Sequence, residues 1–184
     1  MARIALVSEE EASAEVAAVF DVLRKRFHKV PNLFAALARS PAAMGPVLDL
    51  FDAVYVRGDL SERLKELVIV KIAFGLQSHY CLTLHKAFAL ERGVTNREIR
   101  ALAEDPMLAD FPEAERVALE YVTLYARDAR EISDDLFARL EAYYDEGQIV
   151  TLGLLVGLAL IFGDLANALE LPMDSFVTPP TSDS

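Results

Sequence analysis

The chain has 184 residues, enough for one domain with a sizeable core and too few for two separate cores. Hydrophobic residues make up 53%, which excludes wholesale disorder, and 18 basic against 29 acidic side chains leave a formal charge of −11. An acidic chain without a basic stripe is not expected to hold nucleic acid or an anionic membrane surface. One cysteine makes no internal disulfide and fits a reducing compartment, so the expected location is the cytoplasm.

The first residues, MARIALVSEEEA, lack a basic stretch followed by a long apolar one, and no secretory signal is expected. Residues 1–8 read as a flexible tail. Ser8, Glu9, Glu10 and Glu11 read as a capping box that opens a helix over 12–27. Val16, Phe20, Leu23 and Phe27 give that helix its apolar stripe. Its basic end, Arg24, Lys25 and Arg26, suits the C-terminal dipole and reads as a solvated helix end. Pro31 opens a short helix over 32–39. Ser40 and Pro41 open another, to about residue 57, with Val47, Leu48, Phe51 and Tyr55 on one side and Pro46 placed to kink it. Gly58 and Asp59 break the chain, and Ser61 is a good N-cap for the next helix.

The helix over 61–75 is apolar almost all round, which predicts burial on most sides. A second helix, over 78–92, ends at Gly93. Thr95 to Glu98 reads as another capping box, followed by a short helix to about residue 104. A loop is expected over 105–112, then a helix over 112–129, one capped by Ser133, and a long apolar helix over 146–169. The apolar run 149–162 is shorter than the roughly 20 residues of a membrane span and reads as a core or interface helix. Residues 172–184 read as a second tail. No segment alternates with period two. The expectation is therefore one all-α domain over 1–184, a bundle of about eight to nine helices built on a buried helical hairpin. The two apolar helices, over 64–74 and 149–162, hint at two related hairpins.

Chemistry concentrates in one stretch, 61–93. Cys81 and His85 lie four apart on one helix and share a face, with Leu84 and Phe88 beside them. Ser78 stands at the start of that helix, next to His79. On the preceding helix Glu66 interrupts an apolar run, where a carboxylate needs a partner. If the helices pair antiparallel, Glu66 reaches His85 or Cys81. A cysteine in the first turn of a helix has its thiolate favoured, and a depressed thiol pKa is expected. One arrangement is a relay, with Glu66 orienting, His85 as base and Cys81 as nucleophile. In another, Glu66 and His85 act as an acid–base pair on a bound small molecule. In the plainest, Cys81 is a small buried hydrophobe and His85 a satisfied core residue. Ser78, His79 and Phe88 are the candidate pocket residues. Three histidines and one cysteine do not make a recognisable zinc pattern, and neither metal nor cofactor is expected.

These residues resemble a family. Glu, eleven residues, Cys-x-x-Cys, three residues and His mark the AhpD-like superfamily, which includes the carboxymuconolactone decarboxylases. Glu66, Ser78, Cys81 and His85 fall at those positions, and the resemblance covers roughly 30–171. It implies an AhpD-like bundle, with the peroxidase-related branch similar in its later stretches. Cys81 then matches the peroxide-attacking cysteine, with Glu66 and His85 as its proton relay. Ser78 stands where the family's redox members have their other cysteine, so a dithiol cycle within one chain is impossible. The resemblance therefore implies a one-cysteine enzyme reducing hydroperoxides with an external thiol, or a decarboxylase-type enzyme on a small carboxylated substrate. A helical oligomer that has kept the fold without the activity is the third alternative. Homo-oligomers are common in the family, and the helix over 149–162, with Gly153 and Gly157 allowing close approach, is the expected contact.

Overall fold

A computed structural model describes residues 2–104 and 111–174; the expected loop over 105–110 and the tail beyond 174 lie outside the described residues. Nine α-helices are seen among the described residues, and no strand. They are α1 (Ala14–Phe27), α2 (Asn32–Leu37), α3 (Pro41–Phe51), α4 (Glu62–Gly75), α5 (His79–Glu91), α6 (Asn96–Glu104), α7 (Glu113–Asp128), α8 (Asp134–Glu141) and α9 (Glu146–Ala168). The all-α expectation holds.

The fold is arranged around α4. Leu64, Leu67, Val68, Ile69, Val70, Ile72 and Ala73 are all buried, and the helix packs on α5, α6, α7 and α9. Burial of each leucine, isoleucine and valine among them contributes about 1.5–3 kcal/mol. Ser61 caps it by accepting from the Leu64 amide at 3.2 Å. Leu76 to Ser78 form the tight link to α5, with Gln77 at a φ of 52°. Gly93 ends α5 with a φ of 79°, where a side chain would be strained, and the Val94 amide donates back to the Ala89 carbonyl at 2.9 Å. Thr95 and Glu98 form the expected capping box.

Several expectations are corrected. Ser8 and Glu11 do exchange side-chain-to-amide bonds, but across a turn; α1 starts at Ala14 under Ser13. Residues 2–7 are no loose tail: the Arg3 amide donates to the Leu169 carbonyl at 2.9 Å and the Val7 amide to the Ala35 carbonyl at 3.0 Å. Pro172 to Asp174 are docked likewise, as Asn32 Nδ2 donates to the Pro172 carbonyl at 3.0 Å. Helix α3 runs through Pro46 to Phe51 and then widens into a π-helical turn over Asp52–Val56. Gly58 comes after it so closely that an added Cβ would stand 2.2 Å from the Val54 carbonyl oxygen. The basic end of α1 is also more than a solvated terminus, because Arg26 pairs with Asp52 of the π turn.

Helix α9, at 23 residues, is longer than its apolar run and by length and composition passes for a membrane span. Half of its most apolar window is buried, and it packs on α4, α5, α7 and α8 as a core helix. Asp145 and Gln148 close a capping box at its start.

Candidate active site

The hairpin of α4 and α5 brings Glu66 to His85, as expected. Glu66 has 0% exposure, and its Oε2 lies 2.8 Å from His85 Nδ1. Since a carboxylate only accepts, the proton sits on Nδ1, and Nε2 is left as the acid–base atom of the ring. The other oxygen, Oε1, accepts from the Tyr55 hydroxyl, and Arg92 Nε is 3.7 Å from it. A lone buried carboxylate costs several kcal/mol; this one has both oxygens engaged and a guanidinium beside it. Tyr55 and Phe88 meet the imidazole edge-on, at centroid distances of 6.0 and 5.8 Å, and fix its plane.

Tyr55 lies in the π turn and stacks on Phe51 at 5.0 Å. Its burial and the Glu66 charge push its pKa up, so it remains a donor. Read as an α-helical residue, Tyr55 looked like part of an apolar stripe, and sequence reasoning missed its role. A π turn has no sequence signature, but a tyrosine before a buried glutamate was a signal available to be weighed.

Cys81 stands in the first turn of α5 and is free and buried. It shares a cavity of about 50 Å3 with His85, Tyr55, Tyr80 and apolar side chains of α9, among them Leu155, Leu158 and Phe162. Burial pushes the thiol above its ordinary pKa, and a hydrogen bond with Ser78 only partly opposes this. The expected depression is therefore corrected. The apolar wall from α9 costs the thiolate more than the start of α5 returns, and among the described residues no cation lines the cavity beside the sulfur.

The three pocket candidates separate. Ser78 is fully buried and donates to the Gly163 carbonyl at 3.4 Å, tying the hairpin to α9 beside Cys81. Phe88 lines the adjoining cavity together with His85. His79 is exposed and does not line the Cys81 cavity.

Two further groups were not anticipated. Tyr80 lines the same cavity, and its hydroxyl donates to Asp174 while the Leu33 amide approaches it at 3.4 Å. Asp174 Oδ1 also accepts from the Asn32 amide at 2.8 Å, supplying from the far end of the chain the cap that α2 lacks locally. Burial pushes the Asp174 carboxyl pKa up, against the pull of these hydrogen bonds. A residue past Pro172 gives no local hint of such a partner.

Fold and site together define an all-α protein in which a buried carboxylate orients a histidine at the wall of a cavity holding a single thiol. Residues 41–124 match the model of the Carboxymuconolactone decarboxylase family. It is 25% identical over 124 residues to the uncharacterized protein YnjA of Escherichia coli (strain K12), covering 67% of this chain and 68% of that protein. The alkylhydroperoxidase AhpD core protein of Ralstonia eutropha JMP134, an uncharacterized peroxidase-related protein, superposes with a TM-score of 0.83 at 18% identity, over 95% of this chain and 93% of that one. The debrominase Bmp8, as a cysteine-to-alanine variant in complex with 2,3,4-tribromopyrrole, superposes at 0.76 with 16% identity over 95% of each chain.

Proposed function

We propose that the protein is a one-cysteine, peroxidase-related enzyme that reduces small hydroperoxides and is recycled by an external thiol. The reading rests on one observation: a single free thiol and a histidine held by a buried carboxylate face one apolar cavity. His85 Nε2 takes the Cys81 proton, and the thiolate attacks the distal oxygen of the hydroperoxide. The O–O bond breaks, and the departing alkoxide takes the proton back from His85 as the alcohol. Cys81 is left as sulfenic acid. With no second cysteine in the chain, an external thiol condenses with it, releasing water and leaving a mixed disulfide. A second thiol frees Cys81 and departs as the disulfide. Because burial raises the thiol pKa, Cys81 depends on His85 to take its proton. A reducing cytoplasm suits this cycle, and so does a homo-oligomer joined through the exposed apolar stripe of α9.

Mass spectrometry of Cys81 after hydroperoxide is the test. Wild type should gain one oxygen at Cys81, and His85→Ala and Glu66→Gln should do so about 10²-fold more slowly. A wild-type thiol that stays unmodified removes the reading. The burial of Cys81 favours a second one, in which His85 and Glu66 act as an acid–base pair on a small carboxylated substrate and Cys81 is part of the wall. There Cys81→Ser keeps turnover and His85→Ala loses it; the reverse result eliminates it. The neighbour solved in complex with 2,3,4-tribromopyrrole supports a site that admits a molecule the size of one small ring.

A further inference from the structure

Three spaces in the bundle adjoin one another through shared walls. The outermost is a groove of about 320 Å3, lined by Arg26, Lys65 and Arg92 among the cations and by Phe27, Phe51, Tyr55 and Phe88. Those four aromatic side chains also line a second space, of about 60 Å3, which His85 and Tyr80 enter. The third, of about 50 Å3, shares Phe51, Tyr55, Tyr80 and His85 with the second and adds Cys81. From outside inward the order is a polar mouth, an aromatic neck and an apolar end at the thiol. Whatever reaches Cys81 this way has an apolar leading part no thicker than an alkyl chain or a single ring.

The mouth carries a group that the chemistry above does not use. Lys65 is 3% exposed, and its ammonium has three hydrogens but, among the described residues, one protein acceptor, the Gly58 carbonyl at 2.6 Å. Burying a cation with so few partners is costly. Burial accordingly lowers the Lys65 pKa. The acids of the mouth do not answer it. Glu66 is engaged by Tyr55 and His85, Glu62 has a side chain 75% exposed and turned to Arg92, and Glu91 is exposed. Glu62 and Glu91 thus lie outward and the buried Glu66 is already engaged, which leaves Lys65 as the buried cation of the mouth without a carboxylate partner among the described residues.

We infer that the substrate is an amphipathic organic anion, with its apolar end beside Cys81 and His85 and its carboxylate in the mouth, held by Lys65 and Arg26. This rests on the reading that Cys81 and His85 are the reacting groups, and it adds the class of molecule they meet. The carboxylate supplies the acceptor Lys65 lacks, and a charge-assisted bond of that kind favours the anion over a neutral analogue of equal length.

Hexanoate and hexanol separate the two contributions. Calorimetry on the wild-type protein should show hexanoate binding about tenfold tighter than hexanol, a difference of about 1.4 kcal/mol. Bound hexanoate should also slow alkylation of Cys81 by N-ethylmaleimide. Lys65→Met should abolish the preference while retaining hexanol binding, and Arg26→Gln should reduce it. Should Lys65→Met not fold, Arg26→Gln alone decides. Equal binding of the two ligands, binding without protection of Cys81, or a preference unchanged in the variants overturns the inference. Loss of the peroxide reaction with hexanoate binding intact would instead remove the proposed activity and leave the subsite standing.

Discussion

Glu66 shows how one side chain sets the states of its neighbours. Its two oxygens fix the tautomer of His85 and hold the Tyr55 hydroxyl. Tyr55→Phe leaves a buried carboxylate oxygen facing only Arg92, and should cost about 1–3 kcal/mol in a urea titration. It should also displace the pH profile of Cys81 oxidation, which a merely structural loss would not. The thiol has its own signature. Burial raises the Cys81 pKa, so iodoacetamide should react with native protein at a midpoint above the ordinary thiol range, about 8.5. As pH rises, the unfolded chain therefore releases this proton before the folded one does. The group leaves stability unchanged below that range and lowers it as pH rises through the range toward the folded pKa. Cys81→Ala should remove that part of the alkaline loss in thermal melts; an unchanged alkaline slope would assign the loss to other groups. Glu66, Cys81 and His85 were legible in the sequence because a carboxylate in an apolar run and two residues four apart constrain their own geometry. The shift of the thiol was not, because it depends on Leu155, Leu158 and Phe162, more than seventy positions along the chain.

The helices hold the site through a few polar ties. Arg63 on α4 donates to Glu98 on α6 and to Glu115 on α7, and Nη1 reaches the Gly93 carbonyl past the end of α5 at 2.9 Å. These carboxylates hold the guanidinium pKa above its usual value. Arg63→Met strands two partly buried carboxylates and should cost about 2–3 kcal/mol, read as a lower Tm with the helical signal retained below it. Helix order and most caps were readable from the sequence, since Ser61, Thr95 and Ser133 act on amides three residues on. The start of α1 was not. Ser8 and Ser13 both offer a capping hydroxyl; Ser13 caps α1, while Ser8 lies in the turn before it, next to Val7, whose amide is tied to the distant Ala35 carbonyl.

Across the whole molecule, two of three buried clusters share α4, the third lies among α1, α2 and α3, and among the described residues one face of α9 remains bare. Val150, Leu154 and Ile161 are exposed at helical spacing, with Gly157 between them and open space above it. That stripe is the proposed contact between copies. Leu154→Glu should lower the mass seen by light scattering at micromolar concentration, and an unchanged mass would move the contact elsewhere. The π turn has a bearing on ancestry. Such a turn is an α-helix with one residue inserted. Deleting one residue within Asp52–Val56 restores the α-helical pitch and rotates the residues after it by about 100°, which would carry the tyrosine away from Glu66. The rest of the site stands on α4 and α5, in a separate stretch of chain. Tyr55 is thus the one partner in the network that a single-codon insertion could recruit, or a single-codon deletion discard, without redesign of the hairpin.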